Sequence, residues 1–350
     1  MEIFALYCLT FAFMFAKSKV NKEKTEFFSG LDGLVIKGFF AIVIILHHLG
    51  QQFDLGVFSA FNSKMGGVGV GVFFMLSSYG ILKSCKKNEY NYLKKLFLSK
   101  ILKLYLFQVI INFLYYLVLK PSDTSINLLL RVLNLDIFVG LERINSFSWF
   151  ITTILFCYLS IAISLVTMRL FKVKNKKIFL GTMVSFLTFI LGVCLFIAPV
   201  SNLYKRCLSC FIIGLLLFMF EDKLLQFLSN KLAFTICIVS FAVLSIVGII
   251  LLNEEFAAVF ICLLLIVAFK YISIENNVGG LFLGKISLSI YLMQYMFFVF
   301  ISKTNILLYS FSIIGGTITL AYLTTILLNS LIKAVEWCKS INKKQKNDGF

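Results

Sequence analysis

Residues 34–49 read Leu34-Val35-Ile36-Lys37-Gly38-Phe39-Phe40-Ala41-Ile42-Val43-Ile44-Ile45-Leu46-His47-His48-Leu49, an apolar run broken only by a lysine near one end and two histidines near the other. As a helix rising about 1.5 Å per residue it covers about 24 Å, close to the hydrocarbon thickness of a bilayer. Its apolar residues do not alternate with polar ones, so it is no strand of a transmembrane barrel.

Outward from this run the pattern repeats. Apolar stretches long enough to span, or nearly so, fall at about 34–49, 66–83, 101–119, 147–168, 178–198, 203–220, 233–252, 256–272, 283–301 and 306–333. Composition agrees: 60% of the 350 residues are hydrophobic and 14% charged, with 40 phenylalanines and two prolines, and the mean hydropathy is +0.96. These values lie outside the soluble range. The fold class expected is all-α, a polytopic transmembrane bundle of about ten core helices. An eleventh run, Ile3 to Ala16, is short for a span and leads into Lys17, Lys19, Lys22 and Lys24. A tilted helix, an interfacial segment and an uncleaved signal anchor all fit it.

The net charge of +17 is topological. Lysines fall between apolar runs rather than on the face of a soluble fold, which argues against nucleic acid as a partner. If the segment from Lys17 to Asp32 is cytoplasmic, alternate sides of the ten runs hold 26 and seven of the 33 Lys and Arg residues. The lysine-rich side, including the C-terminus, is then cytoplasmic. The longer of the two principal outside loops, Lys120 to Phe147, carries Leu128 to Leu130 and is expected to fold back onto the membrane surface. The nine cysteines are scattered. Cys207 and Cys210 form a lone C-x-x-C, read as helical neighbours, and no metal site is expected.

Ionisable groups inside a bilayer default to functional hypotheses. The two histidines, His47 and His48, sit together at the outer end of the first core helix. Lys37 lies eleven residues before His48, and eleven steps of about 100° bring the two onto one face, with His47 about 80° away. Simple hydration of the histidines and snorkelling of Lys37 are the structural alternatives. The run Gly66-Gly67-Val68-Gly69-Val70-Gly71 has no βαβ context for a dinucleotide loop, so it reads as close helix packing. Ser77 and Ser78 follow it, as substrate ligands or as hydroxyls bonded back to their own helix. Seven lysines from Lys83 to Lys103 fit a polyanionic ligand or anionic lipid headgroups. Ser287, Tyr291 and Gln294 form a polar stripe at i, i+4 and i+7, as a site or as interhelical glue.

Several stretches together resemble acyltransferase family 3, over about Asp32 to Lys333. Lys37-Gly38 with His48 eleven residues after the lysine is similar to the family's basic residue, glycine and distal histidine. Gly69 to Tyr79 resembles its G-V-x-x-F-F-x-L-S-G-[FY] run, and Leu98 to Tyr105 its R-x-x-R-I-Y stretch. Ser148-Trp149-Phe150 with Tyr158 is similar to its W-F segment, and Leu283 to Leu292 to its G-x-x-S-x-x-I-Y-L helix. The chain departs from these patterns with lysine for arginine at 37, 100 and 103, Ser78 for glycine, Leu106 for proline and Gln294 for histidine.

The resemblance implies transfer of an acyl group, most often acetyl from acetyl-CoA, to a hydroxyl of a cell-surface polysaccharide or lipid-linked saccharide, and the Lys/Ile/Asn-rich, Phe-heavy composition without long soluble loops suggests a bacterial plasma membrane. On that basis His48 is the expected general base and Lys37 its catalytic partner. Lys100, Lys103, Ser77, Trp149, Ser287, Tyr291 and Gln294 are the expected substrate contacts, with acetyl-CoA as donor and the lipid bilayer as surroundings. The organisation expected is a hydrophobic and basic N-terminal segment over 1–31, the membrane domain over 32–335 and a charged cytoplasmic tail over 336–350. A transporter or flippase of glycan precursors is the competing class, since interior polar groups also line translocation paths.

Overall fold

The computed structural model describes residues 2–88, 91–119, 124–197, 202–274, 277–300 and 305–347, without the side chains of residues 137, 300 and 331–347. The ends of the runs at residues 198 and 301, Lys120, Lys303 and the last residues of the tail lie outside the described residues.

All ten core runs are helical: α2 (Gly30–Gly50), α3 (Ser59–Lys87), α4 (Leu93–Leu96) leading through a π-helical turn (Phe97–Leu102) into α5 (Lys103–Leu119), α7 (Trp149–Leu170), α8 (Lys176–Ile197), α9 (Leu208–Phe227), α10 (Lys231–Ile250), α11 (Glu254–Ala268), α12 (Val278–Phe300) and α13 (Ile306–Asn347). Eight of them are long and apolar enough to cross a membrane. The other two are α9, whose second half carries Glu221-Asp222-Lys223, and α11, with 15 residues; both pack against α3 in the interior. Helix α13 continues through Asn347, so a helix runs on into the charged tail.

The short N-terminal run is α1 (Glu2–Phe15), and it packs along α2. At one end Phe4 stacks on Phe58 and the Tyr7 hydroxyl donates to Asn62 Oδ1 at 2.9 Å. At the other, Asn277 Nδ2 donates to the carbonyls of Phe13 and Met14. It therefore runs antiparallel to α2, from the histidine end of the bundle to the lysine-rich end.

Helix α2 is central, packed on α12, α3 and α1. Its start is fixed by a capping box, in which Ser29 Oγ accepts from Asp32 N at 3.1 Å and Asp32 Oδ2 accepts from Ser29 N at 3.0 Å. The buried Asp32 carboxylate also pairs with Lys24 at 3.1 Å and accepts from Ile274 N at 2.8 Å. Ile274 ends β2 (Ile272–Ile274), which pairs antiparallel with β1 (Ser18–Val20). This two-stranded ribbon ties the N-terminal linker to the α11–α12 connection, and three-residue strands leave no periodic signal in the sequence.

The glycine-rich start of α3 brings helices together. A methyl group built on Gly69 would stand 2.6 Å from Ile44 of α2, and one on Gly71 2.8 Å from Cys210 of α9. Small residues thus let α3 touch α2 on one side and α9 on the other, as close packing in lipid requires. The loop after α5 carries Leu128 to Leu130 on a short helix. Its α6 (Ser125–Val132) packs along α5, where Asn112 Nδ2 donates to the last carbonyls, of Arg131 and Val132, at 3.1 and 3.4 Å. Asn134, Asp136, Asn145 and Ser148 then follow as buried polar groups where the chain is drawn in against the bundle, while Ile126 and Leu129 of α6 stay exposed.

Candidate active site

Lys37 is three turns of helix below His48, roughly 16 Å along the axis of α2. It faces an interior cavity of about 140 Å³ that it lines with Phe73 and Ser77 of α3, Phe150 and Tyr158 of α7, and Ser287 and Tyr291 of α12. Four sequence candidates, Lys37, Ser77, Ser287 and Tyr291, thus meet around one space. Two of their three helices, α2 and α12, are held together there by Gly38 and Gly284, at which they touch backbone to backbone.

Toward the lysine-rich end this space adjoins a larger cavity of about 480 Å³, also lined by Lys37, Ser77 and Tyr158 and additionally by Lys83, Lys87, Lys100 and Glu26. The size suits a small-molecule ligand. Among the described residues its one carboxylate is Glu26, which pairs with Lys83 at 3.0 Å. Lys83 also pairs with the buried Glu221 at 3.1 Å, and Glu221 accepts from the Tyr79 hydroxyl, so these groups brace α3 to α9 and to the linker. Lys37 has no hydrogen bond and no ion pair among the described residues, and the charge near it is the like charge of Lys100. Two cations facing one cavity without a counter-charge are costly unless a ligand supplies the anion.

Ser78, by contrast, bonds back to the Met75 carbonyl at 3.0 Å and packs on Gly214. Ser287 also bonds back, to the Gly284 carbonyl at 2.9 Å, while the Tyr291 hydroxyl has no hydrogen-bond partner among the described residues. Trp149 is buried but does not line the inner cavity; its neighbour Phe150 does. Lys103 lies outside both cavities, in a separate cleft with Asn329. Gln294 is buried too, with Nε2 donating to the Tyr291 carbonyl at 3.0 Å and Oε1 unpartnered. Beside it the Tyr115 hydroxyl donates to Leu292 O at 2.9 Å and accepts from Met296 N at 3.1 Å, the two groups one regular turn of α12 would join.

His48 stands apart from these cavities, beyond an aromatic layer. Phe73, Phe150 and Tyr291 enclose the inner cavity, with the Phe150 and Tyr291 rings 5.2 Å apart. Phe147 packs on Tyr291 at 5.8 Å and on the His48 ring at 4.6 Å. His48 also faces Phe298 of α12, whereas His47 turns toward α3, where its ring fills the space left by Gly66. The two histidines thus diverge as the helical angle requires.

Their tautomers follow from one backbone carbonyl. Asn62 O lies 2.6 Å from His47 Nδ1 and can only accept, so that nitrogen carries a proton. Gln51 Nε2 lies 3.2 Å from His47 Nε2 and donates to it, which makes His47 neutral and directs Gln51 Oε1 to His48. Gln51 Oε1 is 3.0 Å from His48 Nδ1 and accepts from it. A neutral His48 is thereby left with its lone pair on Nε2, which has no hydrogen-bond partner among the described residues. Gln51 is a residue that motif reasoning passes over, although its spacing, three from His48 and four from His47, is the helical signal that could have found it.

The architecture defines a class, a helical membrane bundle with a cation-lined cavity reaching its middle and a histidine beyond it. The acyltransferase domain of acyltransferase family 3 matches residues 29–332. The chain belongs to that family and is an integral membrane acyltransferase. No curated protein and no solved structure matches the chain.

Proposed function

We propose that this acyltransferase moves an acetyl group from acetyl-CoA to a hydroxyl of a cell-surface polysaccharide or lipid-linked saccharide, with His48 as general base. The observation that carries this reading is the uncompensated Lys37, deep on α2 and open to the lysine-rich end through a cavity that also holds Lys100. An anionic CoA ester entering from that end, taken as cytoplasmic, brings phosphates for Lys87 and Lys100. Its thioester then reaches the inner cavity, where Lys37 and the Tyr291 hydroxyl can polarise the carbonyl.

The acceptor comes from the histidine end. His48 Nε2 takes the proton of the acceptor hydroxyl as its oxygen forms a bond to the acyl carbon. The carbon–sulfur bond breaks, CoA leaves as the thiolate to be protonated from solvent, and protonated His48 returns its proton to solvent. Between the two ends, Phe73, Phe147, Phe150 and Tyr291 keep water from the thioester until the acceptor displaces part of that layer.

The test is the release of CoA thiol by protein in nanodiscs, given acetyl-CoA and a crude surface polysaccharide. The expected result is acceptor-dependent release with acetate esterified to the glycan, lost by about 10²–10⁴-fold in His48→Ala. A variant as active as the parent removes His48 from the chemistry, and acetyl-CoA left intact with every acceptor favours a transporter.

A further inference from the structure

A cavity larger than either of the two that Lys37 lines opens elsewhere among the described residues. It is a cleft of about 680 Å³ between the π-helical turn and start of α5, the first half of α12 and the middle of α13. Lys100, Lys103 and Lys285 line it, and among the described residues no carboxylate does. Lys103 reaches only the neutral Asn329, at 3.5 Å. Lys285 has no hydrogen bond or ion pair among the described residues, although it lies seven residues into α12, roughly 10 Å along its axis. The rest of the wall is largely apolar, with Phe107, Leu288 and Ile326 prominent.

From this cleft we infer a binding site for an anionic glycerophospholipid of the surrounding bilayer, with its phosphate at Lys103 and Lys285 and an acyl chain against Phe107, Leu288 and Ile326. The charge pattern selects this occupant. A zwitterionic lipid would leave these two cations without net compensation, and a soluble anion would leave the apolar wall wet. Cations at this depth beside lipid are costly unless a phosphate meets them or their stems snorkel outward. The cleft also shares Leu104, Tyr158 and Leu288 with the inner cavity, so a resident chain would close that cavity from the side. This inference does not depend on the identity of donor or acceptor.

Native mass spectrometry of the whole protein from nanodiscs of mixed phosphatidylglycerol and phosphatidylcholine tests it. Phosphatidylglycerol is expected to stay bound in preference to phosphatidylcholine, and the paired substitution Lys103→Gln with Lys285→Gln to reduce its retention by roughly thirtyfold, the effect of two cations near an anionic headgroup. Ile326→Trp, which keeps the lysines but fills the cleft, is expected to expel the lipid as well. Equal retention of the two lipids, or undiminished phosphatidylglycerol in the paired variant or in Ile326→Trp, overturns the site. Displacement of phosphatidylglycerol from the parent protein by free CoA overturns it too, because the cleft would then belong to the donor; failure of acyl transfer alone would leave the site standing.

Discussion

Gly38 of α2 and Gly284 of α12 meet backbone to backbone: a methyl group built on Gly38 would stand 2.6 Å from Gly284 N and 2.8 Å from Gly280 O. One built on Gly284 would collide with the Leu34 carbonyl. The contact sits one residue from Lys37 and three from Ser287, so it sets the width of the cavity they share.

Gly38→Ala should therefore push α2 from α12, at a cost of about 1–3 kcal/mol for overpacking against rigid backbone. Thermal unfolding in detergent is expected to fall, with a larger fractional loss of acyl transfer than of folded protein at assay temperature. Unaltered melting and activity would mean that the helices separate freely here.

Gln51 should act through the acceptor it offers to His48 Nδ1. Gln51→Glu keeps an acceptor there and is expected to retain activity, whereas Gln51→Lys offers only donors and would move the lone pair of His48 to the wrong nitrogen. The residue is exposed, so neither change threatens the fold. Displacing a catalytic tautomer should lower kcat in Gln51→Lys by at least roughly tenfold with KM little changed. Equal kcat in the two variants would remove the tautomer from the mechanism.

Lys37 and Lys100 should separate by kinetic parameter. Lys37→Met removes a buried cation that lacks a counter-charge, so the melting temperature should hold or rise while transfer falls by about 10²-fold or more. Lys100→Gln should raise the KM for the donor roughly tenfold, the size of one lost charge-assisted hydrogen bond. A destabilised Lys37→Met with normal turnover would mark the lysine as structural.

Asp136, in the segment drawn in after α6, gives a pH-dependent case. Burial holds its carboxyl above the ordinary carboxylate range against the opposing pull of Arg143 and Arg131, and Oδ2 has no partner. The folded chain thus binds this proton more tightly than the unfolded chain. The stability so gained is complete below the unfolded pKa and is lost as pH rises through the folded value. Asp136→Asn should therefore unfold at the parent's temperature below about pH 4 and at a higher temperature at pH 7. Lower stability of the variant at pH 7 would show that attraction to the arginines outweighs burial.

Much of this was legible without coordinates. The apolar runs located every core helix, since a bilayer leaves a chain little but helix with which to satisfy its own backbone. Helical angle alone separated His48 from His47 and put His48 on the side of Lys37. Motif spacing also reached the residues that gather at the cavity, Lys37, Ser77, Ser287 and Tyr291.

What sequence could not supply depends on partners far apart along the chain. Whether Phe150 or Trp149 faces the cavity, which serine bonds back, and whether Lys100 and Lys103 share a site are decided by how helices rotate against one another. The same holds for the Asp32 link to Ile274 and for the Tyr115 hydroxyl at α12, each made across more than 170 residues. The sequence by itself determined a lipid-embedded helical bundle and its charged end, because transfer of side chains into hydrocarbon is a local property of composition. Only tertiary packing decided that Lys37 lacks a counter-charge and that Asn62 O fixes the His48 lone pair, because hydrogen bonds and compensation of charge are properties of pairs.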